Sequence, residues 1–177
     1  MAFYSEIKNR EQLFIESQKM FFVATAPKKG RINLSPKGMD TFRIINKNKV
    51  LWLNLTGSGN ETAAHLLVDN RITIMFCAFN GAPNILRLYG TATAIHPKDK
   101  QWEKVVSLFP KIPGTRQIFD VLIESVQTSC GMAVPFFDFV DHRNQLVDSA
   151  KEKGQEKIKQ YWKERNSESI DGIPTDI

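Results

Sequence analysis

The run from Val50 to Phe79 constrains this chain most, because it reads as a strand, a glycine-bearing turn, a short helix and a second strand. Val50 to Leu55 is apolar and β-prone, and Thr56-Gly57-Ser58-Gly59-Asn60 is dense in turn formers. Ser58 followed three residues later by Glu61 fits a capping box at a helix start. Ala63, Leu66 and Leu67 give one apolar helical stripe, Asn70 can end it, and Arg71 to Phe79 returns to strand-type residues. A strand that delivers small polar residues to a helix N-terminus seats an anion, through free N–H groups and the positive end of the helix dipole. The same residues also make an ordinary capped helix on a sheet, and Glu61 in the first turn would repel a phosphate. An anion site here therefore needs a cation, for which Lys37 and Arg87 are the candidates.

Length and composition narrow the class. The 177 residues suit one domain, with a helical segment at about 144–165 and a polar tail over 166–177. Lys and Arg number 24 against 19 Asp and Glu, a mild excess that is scattered except at Lys28-Lys29 and from Lys151 to Lys163. The second stretch alternates with Glu152, Glu156 and Glu164, the mark of a solvated helix face rather than a nucleic-acid stripe. No apolar run approaches a bilayer span, and the charged start of the chain does not suit a secretory signal. A cytoplasmic protein with neither nucleic-acid nor membrane partners is expected. Cys77 and Cys130 lie in strand-like apolar runs, which favours two buried thiols over a disulfide.

In chain order, Ser5 to Gln18 has helical spacing and Met20 to Ala26 reads as a buried strand. The turn Pro27 to Gly30 leads to a half-exposed strand from Arg31 to Ser35, which Pro36 ends, bulges or confines to an edge. Thr41 to Ile45 and Val50 to Leu55 make a hairpin across Asn46 to Lys49. Asn84 to Ala94 is a long strand in which Gly90 marks a bulge or a close backbone approach. Pro97 opens a helix with Trp102, Val105, Val106 and Phe109 on its apolar face, and Thr115 to Glu124 reads as a second short helix. Val126 to Val140 reads as strand interrupted at Gly131 and Pro135, and Leu146 to Arg165 as a final helix. Six or seven strands joined mostly by hairpins imply antiparallel pairing, and few free edges imply a closed barrel with inserted helices.

The patterns MFFVATAP, INLSPKG, VLWLNLTGSGNETAAHLLVDNRITIMFCAF and ILRLYGTA resemble the pyridoxamine 5′-phosphate oxidase-like flavoproteins over roughly Phe14 to Ala94. The resemblance implies a mainly β fold, an antiparallel Greek-key split barrel that binds FMN, assembled as a homodimer with flavin at the interface. It also implies flavin-mediated redox chemistry on a small-molecule substrate. In that family an Arg-x-Val-x-Leu-Lys strand lies along the flavin; here Lys37 keeps the lysine and Ile32 takes the arginine position. The family's basic Ser-Arg-Lys clamp at the helix start is Asn60-Glu61-Thr62 in this chain. Cofactor contacts are therefore expected from Asn33, Ser35 and Lys37 on the first strand, Leu53 and Asn54 at the end of the second, and Ser58, Asn60 and Thr62 at the turn. Arg87 is added because the period of two puts Ile85, Arg87 and Tyr89 on one face, and a guanidinium fork suits phosphate.

Nothing else in the chain competes strongly for chemistry. His65, His96 and His142 lack metal-ligand spacing, and no phosphate-loop, nucleophile-elbow or zinc-protease pattern occurs. The tail SIDGIPTDI has no base to hold a substrate phosphate, so oxidation of pyridoxamine 5′-phosphate itself is not expected. A flavin-sensing module with little turnover and a split-barrel protein that takes haem or deazaflavin are the competing readings.

Overall fold

The computed structural model describes residues 1–177. In chain order it contains β1 (Ala2–Tyr4), α1 (Asn9–Ser17), β2 (Met20–Thr25), β3 (Asn33–Gly38), β4 (Phe42–Asn46), β5 (Lys49–Leu55) and α2 (Glu61–Val68). Then follow β6 (Arg71–Cys77), β7 (Ile85–Ile95), α3 (Trp102–Val106), β8 (Thr115–Ser129) and α4 (Gln145–Arg165). All eight strands join one antiparallel sheet in the order β3-β2-β6-β7-β8-β5-β4, with β1 paired to the end of β8. The non-consecutive neighbours β2–β6 and β5–β8 give the sheet its Greek-key character. It curls into a half-barrel of the split-barrel type rather than closing through hydrogen bonds, since the ladder ends at β3 and β4. Side chains draw the curl together: Phe21 of β2 meets Phe42 of β4 at 5.1 Å between ring centroids, and Phe42 meets Phe76 of β6 at 5.3 Å. Such aromatic pairs add about 0.5–1.5 kcal/mol each beyond the area they bury.

The apolar run of β5 is buried on both faces. Val50 and Trp52 join the large core with Phe21, Val23, Ile74, Phe76 and Phe119, whereas Leu51 and Leu53 join a second cluster with Ile95, Phe109 and Ile118. Helix α3 covers that second cluster with Trp102, Val105 and Val106. It begins at Trp102 rather than Pro97, because His96 N–H donates to Asp99 and forms a turn first.

Several expectations are corrected. Thr115 to Glu124 is not a helix but the first part of β8, the strand that pairs with β1, β5 and β7. Both faces of its first half are covered, Ile118 by the second cluster and Phe119 by the first, so it never shows the clean alternation of a half-exposed strand. The strand expected from Val126 to Val140 ends at Ser129, and Cys130 is exposed rather than buried. Of the alternatives for Pro36 the edge is the one found: it lies inside β3, the outermost strand of the sheet, and Lys37 is therefore a strand residue. Gly90 fulfils both of its alternatives. The register shifts there, and a Cβ on it would lie 1.9 Å from the Leu122 carbonyl oxygen. The polar tail after Arg165 packs against the domain, with Asn166, Ser169 and Thr175 buried.

Candidate functional site

Where β5 hands over to α2, and β3 runs alongside, the surface opens into a cavity of about 400 Å³. Its walls carry Asn33, Ser35 and Lys37 from β3, Asn54 from β5, and Gly57 to Thr62 from the turn and helix start. Arg116 from β8 and Ile170 from the tail complete it. Strand period explains the β3 set, since Asn33, Ser35 and Lys37 share one face of the edge strand. Ser35 donates to Asn33 Oδ1 at 3.0 Å, and Asn33 Nδ2 donates to Thr62 Oγ1 at 3.3 Å, which ties the strand to the helix. The expected capping box is not formed. Asn60 stands at the N-cap of α2 without a side-chain cap bond, and its Oδ1 instead accepts from Gln117 Nε2 at 2.7 Å. Asn60 is buried, and its Nδ2 donor has no partner.

Arg116 is the centre of the cavity's charge. Only 2% of it is exposed, and its acceptors are all neutral: Asn54 Oδ1 at 2.7 Å, Asn166 Oδ1 at 2.7 Å and the Gly59 carbonyl at 3.1 Å. The five bonds made by Nε, Nη1 and Nη2 occupy the whole guanidinium fork. With no carboxylate beside it, burial pushes its pKa down to about 10, against a small upward pull from Tyr161. Lys37 responds to the same surroundings. Burial, and then the Arg116 charge, lower its pKa to about 8, and its Nζ stands 5.1 Å from the Trp52 ring centre. Two cations thus share a pocket whose single acid is Glu61.

Seven of the residues expected from the sequence meet here: Asn33, Ser35, Lys37, Asn54, Ser58, Asn60 and Thr62. Leu53 does not, because the alternation that turns Asn54 to the cavity turns Leu53 into the second core cluster. Arg87 is elsewhere too. It pairs with Gln127 and donates to Ser129 Oγ at 3.2 Å, roughly 35 Å of strand along β8 from Arg116. The cation that supplements Lys37 in the cavity is therefore Arg116. The sequence signal for it was a basic residue in the β-prone run after Gly114, concealed by the helical reading of that run. Asn166 and Ile170 had no local signal, since distance along the chain hides them from it.

The antiparallel half-barrel of split-barrel type defines the fold class, and comparison with known proteins agrees on that fold. The family model described as pyridoxamine 5′-phosphate oxidase matches residues 7–130. The pyridoxamine 5′-phosphate oxidase family protein ustO of Aspergillus flavus is 34% identical over 192 residues, covering 97% of this chain and 76% of ustO. This chain belongs to the pyridoxamine 5′-phosphate oxidase family. Among solved structures, a HupZ variant from Group A Streptococcus superposes with a TM-score of 0.57 at 18% identity, over 70% of this chain and 99% of that one. HutZ of Vibrio cholerae, described as a haem storage protein, superposes at 0.50 and 16% identity, over 71% of this chain and 97% of its own. Both likenesses are of fold. No helix of the chain is long and apolar enough to cross a membrane.

Proposed function

We propose that this protein is an FMN-binding oxidoreductase acting on a small molecule, with the flavin phosphate held in the cavity of Lys37, Asn60 and Arg116. The observation that carries the proposal is Arg116, a buried cation that meets only neutral acceptors beside a second partly desolvated cation. A dianionic phosphate balances both charges, and the unpartnered Asn60 Nδ2 supplies a further donor. The amide groups of the Gly57 to Asn60 turn and the start of α2 favour the same charge.

When bound, the flavin supplies the redox chemistry, and the protein supplies binding, orientation and electrostatics. Lys37 is the cavity cation whose pKa lies near 8, so it holds the anion in its charged form and loses that charge as pH rises past 8. Asn33, Ser35 and Thr62 add neutral donors and acceptors around it. Assembly as a homodimer forms part of the proposal. It is supported by the exposed Met132, Phe136, Phe137 and Val140 in the segment between β8 and α4.

The test is a fluorescence titration of apo-protein with FMN and with riboflavin, followed by addition of NADH or NADPH. Preference for FMN by tenfold or more and bleaching by a nicotinamide are expected, the first corresponding to ~1.4 kcal/mol from the phosphate. Equal affinity for the two flavins, or a Soret band in the purified protein instead of flavin absorbance, overturns the reading.

A further inference from the structure

Glu61 poses a problem for any anion in the cavity. It is the only acid on the wall, and it stands in the first turn of α2, where a phosphate would meet its charge. The structure shows this carboxylate already engaged. Both of its oxygens lie 3.2 Å from the N–H of Ile170, and Oε2 lies 4.0 Å from Nε2 of the buried His65, whose Nδ1 meets Thr25 Oγ1 at 3.1 Å. The donor belongs to the C-terminal segment, which is fixed at several points. Asp171 accepts from the Arg31 backbone N–H and pairs with its guanidinium, Ser169 N–H donates to the Ile173 carbonyl, and Thr175 Oγ1 donates to the Asn166 carbonyl. Gly172 completes the turn in the left-handed region at φ 74°.

We propose that the C-terminal segment is an electrostatic cap for Glu61. By presenting the Ile170 N–H to the carboxylate, it disperses a negative charge that would otherwise oppose the cavity's anion. Ile170 is thus a positioning residue acting through its main chain, and the segment determines how strongly the cavity prefers a phosphorylated ligand. Hydrogen bonds to a charged group are among the stronger polar terms, and this one is made at the exposed rim of the cavity, directly on the carboxylate that would face the anion. The proposal rests on the reading of the cavity as a phosphate site.

The experiment compares dissociation constants for FMN and riboflavin in the intact parent chain and in six variants of it, four single and two double. Ile170→Pro removes the N–H, and the preference for FMN over riboflavin is expected to fall about tenfold. Ile170→Ala keeps the N–H and is expected to preserve that preference, whatever it does to both affinities together. Gly172→Val strains the left-handed turn without touching the cavity and is expected to lower the preference in the same direction. In the Glu61→Gln background, Ile170→Pro and Gly172→Val are each expected to change it less than about twofold. An Ile170→Pro protein that discriminates as well as the parent overturns the cap, as does an equal fall with and without Glu61→Gln. If the parent itself fails to distinguish the two flavins, the phosphate site falls and takes the cap with it. A parent that discriminates while Ile170→Pro is silent overturns the cap alone.

Discussion

Replacing Arg116 with Met separates the field of a buried cation from the bonds it makes. All five N–H groups of the guanidinium are taken by Asn54, Gly59 and Asn166, so a phosphate in the cavity would feel Arg116 mainly through its charge. A unit charge at ~5–6 Å with an effective dielectric constant near 20 contributes about 3 kcal/mol, or roughly a hundredfold in affinity. Stability of the ligand-free protein should move much less. Loss of donors to the buried Asn54 and Asn166 acceptors costs ~1–3 kcal/mol each and to the part-exposed Gly59 carbonyl less, while removal of a desolvated ion with no counter-charge returns several kcal/mol. A net fall of about 2 kcal/mol or less corresponds to a thermal midpoint lowered by less than ~8 °C. Flavin fluorescence titration and a thermal melt of the same samples measure both quantities. A folded Arg116→Met protein that binds FMN within about threefold of the parent would refute the reasoning, because the charge would then not reach the ligand. Arg116→Lys, which keeps charge but loses the fork, should fall between the two.

Three further outcomes are expected. Lys37 has a folded pKa near 8 against an ordinary value of 10.5, so its contribution to stability is present above 10.5 and is lost as pH falls through 8. Bound anion restores the proton, so affinity for FMN should decline above about pH 8, and Lys37→Met should abolish that limb in a titration series. Gly90→Ala places a Cβ 1.9 Å from the Leu122 carbonyl and should cost ~3 kcal/mol or more in chemical denaturation; a smaller loss would mean the bulge at Tyr89–Gly90 can relax. Phe136→Asp should halve the molecular mass seen by light scattering if the segment between β8 and α4 joins two copies, and an unchanged mass removes that segment from any such contact.

Much of the fold is legible in local patterns. The β4–β5 hairpin, the β5–α2–β6 corner and the behaviour of Gly90 follow from turn residues and period, because each is set by neighbours in sequence. Strand β8 is not legible, since Arg116 and Gln117 are buried polar residues in a strand covered on both faces, and Ile118, Val121 and Leu122 imitate helical spacing. The candidate site divides along the same line. The turn and Lys37 are readable from local residues, whereas Asn33, Ser35 and Asn54 come from the family resemblance that aligns these strands with a flavin site. Arg116, Asn166 and Ile170 reach the cavity only through tertiary folding, and the charge at Arg87 was assigned by face alone, without the strand order that carries it away. The Ser58–Glu61 pattern misplaces the helix start by two residues: Asn60 is the N-cap, and Glu61 accepts from the Ile170 N–H instead of reaching back to Ser58.

The position of Arg116 and Gln117 on β8 carries a consequence for how a ligand is met. Strand β5 pairs Gln117 with Asn54 and β7 joins on the other side from Ile118, while Arg116 stands at the register shift between Asn54 and Leu55, held by its five side-chain bonds. Amides there should exchange with solvent near the rate of global unfolding, in loaded and ligand-free protein alike. The receptor is stiff before its guest arrives, and little of the association energy goes into ordering it.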